Sequence, residues 1–176
     1  MKVMIFLLVI LFVYMFFTYN SFVKKKNKIK QAASGIDVYL TQRFDLIPNL
    51  VECVKAYMIH EKELLAEIVK LREQYFMNKN LKQGEMLNSE YNKVIAIAES
   101  YPELKSSEQF LNLQKSLTKI ENQLQAARRV YNAEVNIYNN SVQMFPSGLL
   151  ASFFGFKEEE YFEAGTQERN SIEIKY

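Results

Sequence analysis

From Val3 to Val23 the chain carries no charged residue, and its first fifteen positions there, VMIFLLVILFVYMFF, are apolar. About 20 apolar residues at roughly 1.5 Å each cross a hydrocarbon core of about 30 Å. In lipid such a segment satisfies its backbone only as a helix or within a closed barrel. A cleaved signal peptide needs small residues before the cut, whereas YNSFVKKK follows here. No cysteine stands near its end for lipid attachment. The segment therefore reads as an uncleaved transmembrane anchor over 1–23, in contact with the lipid bilayer through 3–23. Tyr14 and Tyr19 approach an interface.

Lys24, Lys25, Lys26, Lys28 and Lys30 follow as a basic juxtamembrane segment over 24–30 and outweigh Lys2. The positive-inside rule then puts the body in the cytoplasm and a short N-terminus outside the cell membrane, single-pass. The cluster either touches anionic headgroups or serves only as the topology signal. Residues 1–30 hold six of the 22 basic residues and no acid, so residues 31–176 carry a net charge of −4. A mildly acidic body argues against a nucleic-acid partner.

Five Gly, three Pro and no Trp in 176 residues make a helix-rich composition that predicts an all-α fold. With Leu40 at heptad position a, the a and d places run Leu40, Arg43, Ile47, Leu50, Val54, Tyr57, Glu61, Leu64, Ile68, Leu71 and Tyr75. Phe44, Val51, Met58 and Leu65 at e widen the stripe, which suits a multi-helix bundle with coiled-coil-like packing better than a two-stranded coil. The spacing predicts one helix from about 31 to 78, ended by NKNLKQG and Gly84. Within it RFDLIPNLV reads as a kinked joint. Pro48 falls at b, Asp45 offers a carboxylate to the freed N–H groups, and Asn49 follows.

A second helix is predicted over about 86–100, with Leu87, Tyr91, Val94, Ala98 and Tyr101 on its face. YPEL makes a turn, and Ser106 with Gln109 fits a capping box. The third helix carries Phe110, Leu113, Leu117, Ile120, Leu124, Ala127, Tyr131, Val135, Tyr138, Val142 and Phe145, until Pro146 and Gly148 stop it. At about 38 residues, roughly 57 Å, it outruns the second helix. Its surplus stripe must be covered by the C-terminal segment or by another subunit. FPSGLLASFFGF (145–156) reads as a short helix packed on the bundle end, with a partner surface or membrane-dipping patch as the sharper alternative. KEEEYFEA reads as a solvated acidic stretch. The resulting architecture is an antiparallel bundle over 31–163 and a flexible tail over 164–176.

Catalytic signatures are sparse. His60-Glu61 lacks the second histidine of a zinc helix, since position 64 is Leu. The single Cys53 reads as a packing residue. No phosphate loop, nucleophile elbow or paired-carboxylate signature stands out, so the reading is a protein that is not an enzyme, with no metal and no cofactor.

Polar residues on the seams carry more information. Arg43 and Glu61 lie 18 residues, roughly 27 Å, apart on one helix, so each needs a partner on another element. On the third helix Glu121 and Arg128 are seven apart, and Tyr131-Asn132 recurs as Tyr138-Asn139. These spacings predict a polar ladder in which Arg43 meets a third-helix carboxylate or amide and Arg128 bonds first-helix polar groups.

The anchor, IDVYLTQRFDLIPNLVECVKAYMIHEKELL, YPELK, FLNLQKSLTKIENQLQAARRVYNAEVNIYNN, MFPSGLLASFFGF and YFEA together resemble the LemA family of bacterial membrane-anchored proteins over nearly the whole chain. The resemblance implies an all-helical bundle on one anchor facing the cytoplasm. It carries over no catalytic or cofactor-binding residue and, by analogy, implies organisation of membrane or envelope structures.

The functional expectation is a membrane-tethered helical scaffold or adaptor, a homo-oligomer or a partner of other membrane proteins. The alternatives are a membrane-bound hydrolase or accessory enzyme using His60, Glu61 and a polar ladder residue, and a regulatory adaptor of a membrane protease or transporter recognised through 145–156.

Overall fold

The structure, a computed structural model, describes residues 1–78 and 81–162, and every regular element among them is a helix. In chain order these are α1 (Lys2–Asp45), α2 (Ile47–Val54), α3 (Lys62–Asn78), α4 (Leu81–Ala98), α5 (Pro102–Lys105), α6 (Glu108–Gln143) and α7 (Ser147–Phe154). The tail predicted over 164–176 lies outside the described residues. The chain divides into two compact units: Met1–Ala33 with the described residues from Ala127 onward, and Ser34–Ala126.

In the Ser34–Ala126 unit, the core is the apolar stripe predicted from the heptads. Leu40, Phe44, Ile47, Leu50, Val54, Met58, Ile68 and Tyr75 are buried, as are Leu87, Tyr91, Val94, Ala98, Phe110 and Leu124. Tyr75 reaches Asp37, while Arg72, about one turn earlier on α3, reaches Phe44 and Asp45, so α3 runs antiparallel to α1. Leu40 lies beside Gly84 and Arg43 beside Asn88 and Asn92, so α4 runs parallel to the end of α1.

The single helix expected over 31–78 is three helices. The first break is at Leu46, and Pro48, expected to kink a continuous helix, sits in the first turn of a new one. There its missing N–H costs no bond within α2. The second break, over 55–61, contains neither Gly nor Pro. Tertiary burial of Met58 and Leu65 outweighs the local preference for a continuous helix. Gly84, expected to end the first helix, lies inside α4, where a Cβ would stand 3.1 Å from the Tyr75 ring and 3.5 Å from Leu40 Cδ1. Its small size permits that approach. YPEL is not a simple turn: Tyr101 is extended before proline, and Pro102–Lys105 forms α5. The cap of α6 is Ser107, whose Oγ accepts from Phe110 N at 3.3 Å, while Ser106 donates back to Glu103 O. The predicted Ser106–Gln109 box is therefore replaced by a single serine cap one residue later, since Phe110 at the third helical position has no side-chain acceptor to return.

In the other unit, Lys25 bonds Ser141, and Lys28 pairs with Glu134 at 3.8 Å, so α6 runs antiparallel to α1. Ile29, Val135 and Tyr138 form its core, flanked by Tyr131 and Val142. Val3 through Phe12 of α1 are each at least half exposed, and α1 is long and apolar enough to cross a membrane. Helix α7 matches the short helix predicted over 145–156. Phe145, placed on the third-helix stripe, instead lies past the end of α6 and is 84 % exposed.

Candidate functional site

Two polar constellations form where the seams carry polar residues, one in each unit. In the Ser34–Ala126 unit, Arg43 is buried near the C-terminus of α1. Its Nη1 donates to Glu121 Oε2 at 2.6 Å and to Asn88, and its Nη2 donates to Asn92 Oδ1 at 2.7 Å. The guanidinium lies over the Tyr91 ring, 4.7 Å from its centroid. Glu121 Oε1 accepts from Gln125 Nε2 at 2.8 Å. A buried charge needs both a counter-charge and hydrogen bonds, and this set supplies both. The predicted pairing of Arg43 with a third-helix carboxylate is present. Asn88 and Asn92, which sequence reasoning missed, complete it; their four-residue spacing put them on one helix face. Burial pushes the Tyr91 phenol well above its ordinary value, partly opposed by the adjacent Arg43.

Beside this cluster opens a cleft of about 640 Å³, lined by Ile95, Leu111, Leu117, Gln114, Lys115 and Thr118 along with Arg43 and Glu121. Its mixture of apolar, amide and charged groups suits recognition. Two of its lining charges, Arg43 and Glu121, neutralise each other.

The joint of α1 and α2 has its own bonding logic. A helical residue at 48 would donate to the Phe44 carbonyl four residues back, but Pro48 has no N–H. Arg72 Nε takes that role, donating to Phe44 O at 2.9 Å. Its Nη2 also pairs with Asp45 at 3.3 Å, and its guanidinium lies 4.7 Å over Phe76. Asp45 is thus a partner for Arg72, not the cap that its position predicts, and α2 has no side-chain cap. Pro48 and Asn49 are exposed. Glu61 finds its expected partner on another element, accepting from Tyr101 OH at 3.0 and 3.2 Å. His60 is exposed beside it. Burial raises the Cys53 thiol, with Glu52 adding to the effect.

In the other unit the Tyr–Asn repeat of α6 grips the non-helical segment from Phe156 to Phe162. Asn139 Nδ2 donates to Glu159 O and its Oδ1 accepts from Glu159 N, both at 2.9 Å. Asn132 does the same with Phe162, at 2.9 and 2.8 Å. Tyr138 OH donates to Lys157 O at 2.9 Å, and Tyr131 OH to Glu160 O at 3.2 Å. Seven helical residues rise about 10.5 Å, and three residues match that only when extended, at about 3.3 Å each. The heptad repeat of α6 therefore reads a three-residue repeat of strap backbone, running antiparallel to it.

Arg128, expected to bond first-helix groups, instead lies 4.6 Å over the Phe162 ring, which also meets Tyr131 edge-on. Lys26 pairs with Glu159 at 2.7 Å, and that bond holds its ammonium above the usual lysine value. KEEEYF is consequently a strap whose backbone is bonded to α6, not a free solvated stretch. The fold-back of the C-terminal segment, one of the two covers expected for the surplus α6 stripe, is the one present in this unit.

At the other end of the strap, Gly155 adopts φ 74°, and Phe156 N donates to Ala151 O at 2.9 Å, closing α7. Pro146 precedes α7 after a cis peptide bond with Phe145. A Cβ at Gly148 would lie 2.8 Å from the Val142 carbonyl, so only glycine fits that corner.

A profile of the LemA family matches residues 32–176. The chain belongs to the LemA family. Among curated relatives, magnetosome proteins MamQ 2 and MamQ 1 of Paramagnetospirillum magneticum are each 32 % identical over 71 residues, 40 % of this LemA-family chain and 26 % of theirs. Magnetosome protein MamQ of Magnetospirillum gryphiswaldense is 22 % identical over 174 residues, 82 % of this chain and 64 % of its own. The chain thus spans about a quarter of the first two relatives and under two thirds of the third.

Proposed function

We propose that this LemA-family protein is a non-catalytic scaffold or adaptor, tethered to the cell membrane by α1 with its body in the cytoplasm, and that it associates with itself or with other membrane proteins. The observation that carries this reading is the exposed apolar surface of α1 over Val3–Phe12, at the N-terminal end of that helix. Such a surface is stable in lipid and costly in water. The arrangement of the charged groups supports a scaffold. Arg43 with Glu121, Arg72 with Asp45, and Lys26 with Glu159 hold elements together, and the cleft beside Arg43 offers a recognition surface. The names of the MamQ relatives connect them with magnetosomes, and organisation of membrane structures is the role transferred here by analogy.

The test is crosslinking in the native membrane with identification of the partners, alongside a mass measurement of the detergent-solubilised protein. A crosslinked homo-oligomer or membrane-protein partner is the expected result. A monomer with no partner would refute the scaffold. Protease digestion of the body in right-side-out vesicles would overturn the cytoplasmic assignment. Replacing His60 should leave the physiological output unchanged, and a loss would favour the accessory-enzyme alternative.

A further inference from the structure

Helix α7 is attached to α1 at one level. The Tyr19 ring meets Phe154 at 5.2 Å and Phe156 at 5.6 Å, and Phe22 meets Phe156 at 5.0 Å. These contacts fall on the last turn of the uncharged run, just before Lys24. Five helical residues from Tyr19 to Lys24 rise about 7.5 Å, so α7 is held on the apolar side of the basic cluster by about the depth at which interfacial helices lie.

The inner face of α7 is spent on this attachment, and Ala151 is fully buried. The outer face carries Leu149 (67 % exposed) and Phe153 (75 %), four residues apart, with Met144 and Phe145 exposed just before the helix. From Val135 to Phe156 the chain has no charged residue. The α1 surface at the same end is apolar and open too, at Phe16 and Phe17.

We propose that α7 is an interfacial membrane helix, lying in the headgroup–acyl boundary with Phe145, Leu149 and Phe153 inserted among lipid chains. The inference rests on the anchor reading and gives this outer face one partner, the bilayer. Lipid is favoured over a second protein copy because the patch joins the lipid-facing surface of α1 without an intervening charge. Charges begin only on the water side. There Lys24 is exposed for anionic headgroups, while Lys25 and Lys26 fix α6 and the strap.

The test uses the full chain with Cys53→Ser, spin-labelled at single cysteines and reconstituted in phosphatidylcholine–phosphatidylglycerol vesicles. Leu149→Cys and Phe153→Cys report α7, Leu8→Cys the anchor and Val130→Cys an exposed α6 position; all four native side chains are at least half exposed. Collisional accessibility to oxygen, which concentrates in lipid, is compared with that to a water-soluble nickel chelate. The expected result is oxygen above nickel at 149, 153 and 8, and the inverse at 130. Nickel above oxygen at 149 and 153, with position 8 still lipid-exposed, would overturn the interfacial helix and leave the anchor standing. Shielding of 149 and 153 from both reagents would overturn it in favour of a protein cover. Nickel access at position 8 would refute the anchor and the inference together.

Discussion

Replacing Asn139 with alanine removes both bonds to Glu159 and leaves a backbone N–H and C=O to find water. Asn139 is itself buried, 4 % exposed, and Glu159 is only partly exposed. At about 0.5–1.5 kcal/mol net per hydrogen bond, the two bonds hold the strap closed by about 1–3 kcal/mol. Local opening should then rise by roughly 5- to 150-fold. Hydrogen exchange of the backbone amides of Glu159 and Phe162, measured in detergent or nanodiscs, reads that constant directly. N139D should be no milder, since it retains an acceptor for Glu159 N–H but turns a carboxylate toward the Glu159 carbonyl. Exchange should spread to Phe162 if the two asparagine grips open together. Unchanged protection of both amides in N139A would mean the strap is held by Lys26 and the aromatic contacts of Phe162, and the backbone-grip argument would be wrong.

E121A strands the Arg43 guanidinium among neutral amides and should cost about 2–4 kcal/mol, discounted from the fully buried case for the partial exposure of Glu121. Chemical denaturation in detergent checks this, and R43M combined with E121M should recover most of the loss. Charge reversal at Arg43 that leaves stability and oligomeric state unchanged would count against the whole cluster. R72A should cost about 1–2 kcal/mol by leaving the Phe44 carbonyl unbonded. Its cost should shrink in a P48A background, where a backbone N–H can return; equal costs in a double-mutant cycle would remove the link between Arg72 and Pro48.

Alkaline pH should destabilise the fold. Burial and the bond to Asp37 raise the Tyr75 phenol above its ordinary 10.0, so the folded state keeps a proton that the unfolded state releases, and stability falls as pH rises past that value. Lys26 is raised as well, and its contribution is complete below 10.5 and lost as pH climbs through its folded value. Melting temperature followed between about pH 9 and pH 11 should decline less steeply in Y75F; an identical slope would exclude Tyr75 as a source.

Apolar periodicity made the core legible, because a stripe at heptad spacing reports burial whatever covers it. Leu40, Ile47, Leu50, Val54, Leu87, Tyr91 and Leu124 are buried where their spacing put them. Charges on the stripe were equally informative, since a seam charge demands a partner, and Arg43 met Glu121. The helix breaks were less visible. Pro48 signalled one but not its form, and the turn over 55–61 has no local breaker, only the tertiary burial of Met58. Gly84 read as a stop because the ring of Tyr75 that needs its small size is nine residues away in sequence.

The strap marks a deeper limit. Tyr131-Asn132 and Tyr138-Asn139 announced polar groups awaiting a partner at a spacing of about 10.5 Å. A second helix supplying side chains every seven residues and an extended chain supplying backbone every three answer that spacing equally well. Recognition through backbone leaves no pattern in the recognised sequence, so KEEEYF shows only its charge. One side of such an interface is written in residue type, and the other is written only in conformation.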